Sequence, residues 1–238
     1  MHMRSVLSLL QFTTILPLGK PQDFDYFARN SWIYPVAGYV IAFLVAIPVF
    51  FIADRTLAAA VAVAGVILLS GAHHFDGLLD FGDGLMAQGD HERRTRALTD
   101  KYVGAGGIAA GLVVTILLFA GLHATASIIS ALIIGEVCAK FSMAFLTAYG
   151  TPFKEGMHSY LHQLARPWFP FLSILLCIPL IFLPITPFQL VTAAIVMILC
   201  PLILLKVSEK LFGGINGDVV GAANEITRAL VIVALVLT

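Results

Sequence analysis

Three aspartates, Asp76, Asp80 and Asp83, fall at i, i+4 and i+7 within the run His73-His74-Phe75-Asp76-Gly77-Leu78-Leu79-Asp80-Phe81-Gly82-Asp83-Gly84. On a helix that spacing puts all three carboxylates on one face. Clustered carboxylates repel one another, and such a cluster becomes favourable when a hard cation sits among them. Mg²⁺ takes oxygen ligands and commonly bridges carboxylates to phosphates. The glycines at 77, 82 and 84 would weaken a helix by about 1 kcal/mol each, but they let a ligand approach the backbone closely. The alternative is a solvated acidic turn capping an apolar helix.

A second acidic segment lies near the C-terminus: Gly213-Gly214-Ile215-Asn216-Gly217-Asp218-Val219-Val220-Gly221-Ala222, then Glu225. Alone it reads as a plain glycine-rich loop. Beside the first cluster it reads as the second half of one site. Between the two stand Arg93, Arg94 and Arg96, then Asp100-Lys101. A guanidinium grips phosphate oxygens through two parallel hydrogen bonds, although a positive anchor at a membrane surface also explains such charges. Gly104-Ala105-Gly106-Gly107 opens the next apolar run. Exposed N–H groups at a helix N-terminus favour anions, and small residues equally serve close helix packing. His158 and His162 share a polar segment with Lys154 and Glu155 and read as structural. Glu136 and Lys140 sit at i, i+4 inside an apolar stretch, as a structural ion pair or a substrate-facing one.

The elements that must position these groups are membrane helices. Of the 238 residues, 59% are hydrophobic and 12% charged, against about a quarter charged in a soluble domain. A zero net charge gives no basic footprint for nucleic acid. Cys138, Cys177 and Cys200 stand alone in apolar stretches, without metal-ligand or CxxC spacing, and read as packing residues. No cleavable signal peptide is evident. A span needs about 20 mostly apolar residues, and candidates lie at 33–53, 56–74, 104–122, 125–149, 169–186, 187–206 and 222–238. The chain therefore reads as one all-α domain, a polytopic bundle of about seven transmembrane helices. Residues 5–18 are expected to form an interfacial or re-entrant helix ending near Pro17. Placing the N-terminus inside puts Arg4, Lys20, Arg29, Arg93, Arg94, Arg96, Lys101, Lys154, Arg166, Lys206 and Lys210 on the cytoplasmic side and only Arg55 outside, as the positive-inside rule requires. The long polar loops, at about 75–103, 150–168 and 207–221, then share the cytoplasmic face.

In these residues the chain resembles the cobalamin synthase family, the adenosylcobinamide-GDP ribazoletransferases. The family's His-x-Asp-Gly-Leu-x-Asp-x-x-Asp-Gly element is matched by His74, Asp76, Gly77, Leu78, Asp80, Asp83 and Gly84. Its Arg-containing stretch leading to Lys-Asp-Ser and Gly-x-x-Gly is matched by Arg93, Arg94, Asp100, Gly104 and Gly107. Its C-terminal Gly-Gly-x-Thr-Gly-Asp-x-x-Gly-Ala-x-x-Glu element is matched by Gly213, Gly214, Gly217, Asp218, Gly221, Ala222 and Glu225. Phe12 to Pro17 and Tyr34-Pro35-Val36-Ala37-Gly38 are similar as well. Departures stand at Ile15, Thr99, Lys101, Asn216 and Arg228, where the family carries Arg, Lys, Ser, Thr and Glu.

The resemblance implies transfer from adenosylcobinamide-GDP to α-ribazole or its 5′-phosphate. A ribose hydroxyl attacks the diphosphate phosphorus nearer cobinamide, and GMP leaves. It implies Mg²⁺ held by Asp76, Asp80, Asp83 and Asp218, with one of these carboxylates or His74 taking the hydroxyl proton. Arg93, Arg94, Asp100, Gly104, Gly107, Gly214, Gly217 and Glu225 would hold substrate. It also implies a place in the cell's inner membrane among lipid, and a homo-oligomer is allowed for. A CDP-alcohol phosphotransferase is the nearest rival, but its pattern needs Ala-Arg after Asp-Gly, where Leu78-Leu79 stand here. A cation transporter would spread its acids through mid-membrane helices, whereas here they gather at one face, Glu136 excepted.

Overall fold

A computed structural model describes residues 3–238. The helices are α1 (Met3–Thr13), α2 (Asp25–Ala28), α3 (Tyr34–Phe50), α4 (Arg55–Leu69), α5 (His73–Met86), α6 (His91–Leu98), α7 (Ala105–Ala124), α8 (Ile128–Tyr149), α9 (Met157–Leu164), α10 (Phe169–Cys177), α11 (Pro187–Phe212) and α12 (Gly217–Leu237). Short 3₁₀ turns precede α3 (Ser31–Ile33) and extend α10 (Ile178–Phe182). Among the described residues there is no strand, only an isolated bridge between Pro152 and Ile215.

Five helices are long and apolar enough to cross a bilayer, and the number reaches seven if two bent pairs each count as one span. The chain is a multi-pass helical membrane bundle. One of the bent pairs corrects an expected span. The run 56–74 is not one helix: α4 ends and α5 leaves at 92°. Gly71 and Ala72 make that corner with φ of 65° and 58°, and a left-handed alanine costs about 1–2 kcal/mol. The Ile15 N–H donates to the freed Leu69 carbonyl over 2.9 Å. The run 169–186 is also irregular, with α10 set at 94° to α9 and finished by its 3₁₀ turn. The last helix starts at Gly217 rather than 222, because Asn216 caps it by accepting from the Val219 N–H at 3.1 Å. α1 spans 11 residues, too short to cross about 30 Å of hydrocarbon.

Burial sorts the helices into layers. α8 is 83% buried and α12 72%, against 28% for α7 and 33% for α11. α8 and α12 therefore form the centre, with α3, α5, α7 and α11 packed around them. The outer helices expose apolar rows, Ile108, Leu112 and Ile116 on α7 and Phe188, Val191, Ile195 and Leu199 on α11. Such continuous apolar surface suits lipid rather than water.

Two apolar cores stack along the bundle. One joins α3, α4 and α7 to residues 131–141 of α8 and 229–235 of α12. The other joins α1, α2, α5 and α6 to residues 143–146 of α8 and 219–223 of α12. At the boundary between them, Glu136, Lys140, Asn224, Glu225 and Arg228 are buried together. Arg228 ion-pairs with both Glu136 and Glu225, and Lys140 Nζ donates to Asn224 Oδ1 at 2.7 Å. Two acids and two bases balance, as a buried network in lipid requires. At the looped end, Phe12, Phe24, Phe27 and Tyr34 stack edge to face or in parallel and tie α1 and α2 onto α3. The Tyr160 hydroxyl and the Arg29 guanidinium both donate to Asp25, holding its carboxyl below the usual range and linking α2 to α9.

Candidate active site

The two acidic segments meet where α5 crosses α12, and glycine makes the crossing close. A Cβ on Gly77 would lie 2.7 Å from the Asp218 carbonyl oxygen and 3.0 Å from its Cα. A Cβ on Gly221 would lie 3.2 Å from the His74 Cα and 3.6 Å from the Gly77 Cα. Backbone thus rests on backbone, and Asp218 arrives beside the Asp76–Asp80 face of α5. Asn216 Nδ2 donates to Asp218 Oδ2 at 2.5 Å and orients it. Gly77→Ala is expected to push α12 away from α5. A displacement near 1 Å at a reacting centre costs about 10²-fold in rate, so turnover should fall by that order while the thermal midpoint drops by a few degrees. Unchanged turnover in Gly77→Ala would show that this crossing does not set the site.

Electrostatically the crossing is an acidic pocket mouth. Asp80 is half-buried and stands within the fields of Asp218, Asp76 and Asp83. Lys154 is the cation that faces both Asp80 and Asp218. Lys154 is brought to this side because loop 151–153 pairs with the loop before α12. The Ile215 N–H donates to the Thr151 carbonyl at 2.9 Å and the Phe153 N–H to the Ile215 carbonyl at 3.3 Å. Nothing local to Lys154 announces this role, so sequence inspection assigns it none. Its ammonium suits a phosphate oxygen arriving at the carboxylates.

Asp83 is held differently from its two companions. Its oxygens accept the Gly104 N–H at 2.7 Å and the Gly107 N–H at 2.8 Å. The α7 N-terminus, expected to meet a substrate anion, meets this carboxylate, a favourable charge–dipole arrangement. Gly107 is required there, since its Cβ would lie 2.7 Å from the Leu79 carbonyl oxygen. Arg94 also turns inward: its guanidinium donates to the carbonyls of Leu85 at 2.9 Å and Gly89 at 3.3 Å, closing the end of α5. Arg93 remains exposed on α6. Asp100 is exposed in the loop before α7, where it accepts from the Tyr102 N–H at 3.1 Å. Gly214 packs against loop 151–153, its Cβ position 2.5 Å from the Thr151 carbonyl oxygen. Gly217 faces open space beside Asp218. Glu225 lies in the buried network with Arg228 and away from the acidic mouth.

Among the described residues no three His, Cys, Asp or Glu side chains converge as a ready-made metal cage. That agrees with Mg²⁺ chemistry as well as with its absence, because Mg²⁺ usually takes one or two carboxylates and completes its shell with water and substrate phosphates. Asp76, Asp80 and Asp218 are hard oxygen donors sharing one mouth, so the residues present fit that ion. Two imidazoles border the same region. His74 is buried with no partner at Nδ1. His158, on the eight-residue α9, contacts the Gly150 carbonyl through Nε2 at 2.8 Å.

Comparison with known proteins relates the chain to one family. A family model described as cobalamin-5-phosphate synthase matches residues 5–236. A Methanocella arvoryzae protein named adenosylcobinamide-GDP ribazoletransferase is 34% identical, with 92% of this chain and 90% of that protein covered. Proteins of the same name from Archaeoglobus fulgidus (34% identical, 98% and 96% covered) and Pyrococcus abyssi (30% identical, 96% and 96% covered) are similar over nearly their whole lengths. No solved structure matches the chain.

Proposed function

The chain belongs to the cobalamin-5-phosphate synthase family, and we propose that the α5–α12 crossing is where it joins the two halves of the cobalamin nucleotide loop. The enzyme transfers the phosphorylated cobinamide of adenosylcobinamide-GDP to α-ribazole or its 5′-phosphate. A ribose hydroxyl oxygen bonds to the phosphorus nearer cobinamide, the bond from that phosphorus to the bridging oxygen breaks, and GMP leaves with the electron pair. The observation that carries this assignment is the contact of Gly77 and Gly221, which sets Asp218 against the Asp76–Asp80 face in a chain whose family match runs almost end to end.

The chain's own groups divide the work. One or two of Asp76, Asp80 and Asp218 would hold Mg²⁺, which when bound offsets the charge of the diphosphate. Asp83 pins α5 to α7, so the carboxylate face keeps its position when substrate arrives. Lys154 meets a non-bridging phosphate oxygen, and Arg93 on exposed α6 meets the departing nucleotide. A carboxylate of the cluster receives the hydroxyl proton. The mouth faces the cytoplasm of a cell whose inner membrane holds the bundle. Lys154, Arg166, Lys206, Lys210 and the α6 arginines lie at this end, and Arg55 lies at the other against the His123 carbonyl, as the positive-inside rule demands. Lipid packs on the outward apolar rows.

Purified protein in detergent, given adenosylcobinamide-GDP, α-ribazole and Mg²⁺, is expected to release GMP and corrinoid product in equal amounts. EDTA is expected to stop both, and added Mg²⁺ to restore them. Turnover that survives EDTA would remove the metal from the mechanism. Folded protein that makes neither product would remove the substrate assignment.

A further inference from the structure

A cavity of about 400 Å³ lies directly beside the acidic mouth, enclosed by the N-terminal segment and the adjoining ends of α3, α5, α8, α9 and α12. Its walls include Gly217, next to Asp218, and His74, two residues before Asp76. The lining is mostly apolar, with Phe12, Tyr34, Met143 and Leu161 supplying the body of it. His74, Thr147 and His158 are its buried polar residues, and the Nδ1 of each imidazole and the Thr147 Oγ1 meet no protein partner. Because a carbonyl only accepts, the Gly150 contact places the His158 proton on Nε2 and leaves its Nδ1 as an acceptor.

The reactants carry four ring systems: a corrin, the adenine of its adenosyl ligand, a guanine and a benzimidazole. Ligand pockets run from about 300 to 1,000 Å³, so this cavity is at the small end and excludes the corrin. Guanine and adenine each present several donors and acceptors along one edge, and a mostly apolar lining whose buried polar groups are His74, Thr147 and His158 would leave several of them unpaired at a cost of about 1–3 kcal/mol each. A dimethylbenzimidazole is flat and apolar, with a single free ring nitrogen. Its ribose hydroxyls are donors for an imidazole acceptor at the rim.

We propose that this cavity seats the benzimidazole ring of the α-ribazole co-substrate, with Phe12, Tyr34, Met143 and Leu161 against the ring and its ribose turned toward Asp218. The proposal rests on the ribazole-transfer reading of the site. It places the attacking hydroxyl at the acidic mouth from the α8–α9 side and leaves the open side for the bulky cobinamide-GDP.

The test is steady-state kinetics of Met143→Trp, which fills the cavity from α8, with Leu161→Phe as a second, smaller obstruction from α9. Both are first shown folded by their thermal midpoints. The KM for α-ribazole is expected to rise at least about 10-fold in Met143→Trp, the scale on which a hydrophobic pocket discriminates, with a smaller rise in Leu161→Phe. The KM for adenosylcobinamide-GDP is expected to stay within about 2-fold. Direct titration with α-ribazole alone should show the same loss. A raised KM for the cobinamide substrate, or neither KM moving in folded variants, would overturn the proposal while leaving the activity intact. Absence of GMP release by the unmodified protein would instead overturn the reading beneath it.

Discussion

Asp80→Asn is expected to reduce product formation by about 10³-fold with little change in folding. The side chain keeps its shape, so packing on α5 is preserved, but the charge at the centre of the acidic mouth is gone. Asp80 lies within the electrostatic fields of Asp76, Asp83 and Asp218, which the field of Lys154 opposes. A metal clamp on a transferring phosphoryl group supplies several kcal/mol, and about 4 kcal/mol corresponds to three powers of ten in rate. The readout is GMP release at saturating substrate, alongside the Mg²⁺ concentration giving half-maximal rate. Loss of rate that raised Mg²⁺ partly restores would fit a ligand role. Full activity in Asp80→Asn would take the chemistry away from this crossing altogether.

Arg228→Met is expected to be the most destabilising single change in the bundle. The guanidinium is fully buried between Glu136 and Glu225, themselves buried. Removing it leaves two buried carboxylates facing the Lys140 ammonium alone, 3.9 Å from Glu136. Breaking one partner of a buried pair costs about 3–5 kcal/mol, which in a chain of this size corresponds to roughly 10 °C in the thermal midpoint. Charge balance makes a sharper expectation. Arg228→Met combined with Glu225→Gln leaves one acid and one base, so the double variant should be more stable than Arg228→Met by itself. A double variant less stable than the single one would show that Arg228 matters for its packing and not for its charge.

Composition alone determined that the chain lives in a bilayer, because 12% charge cannot clothe a bundle of this size in water. Spacing alone determined the carboxylate face of α5 and the pairing of Glu136 with Lys140, because 3.6 residues per turn is a local property that needs no partner. The gathering of polar loops at one end likewise came from counting. Tertiary structure decided what each group does. Asp83 has the same residue type and helical face as Asp80, yet its oxygens are taken by amides 21 and 24 residues away. Arg94 looks identical to Arg93 in sequence, and only the return of α6 under α5 turns one into a cap and leaves the other exposed. Glu225 follows Asp218 by two helical turns, but seven residues at 1.5 Å each carry it about 10 Å down α12 into the layer where Arg228 waits. The corner at Gly71-Ala72, the approach of Lys154 and the cavity under α9 were equally illegible. Each depends on backbone contacts between segments far apart in the chain. Residue type and local periodicity specify which chemistry is available, and the packing of distant helices selects which of those groups face substrate.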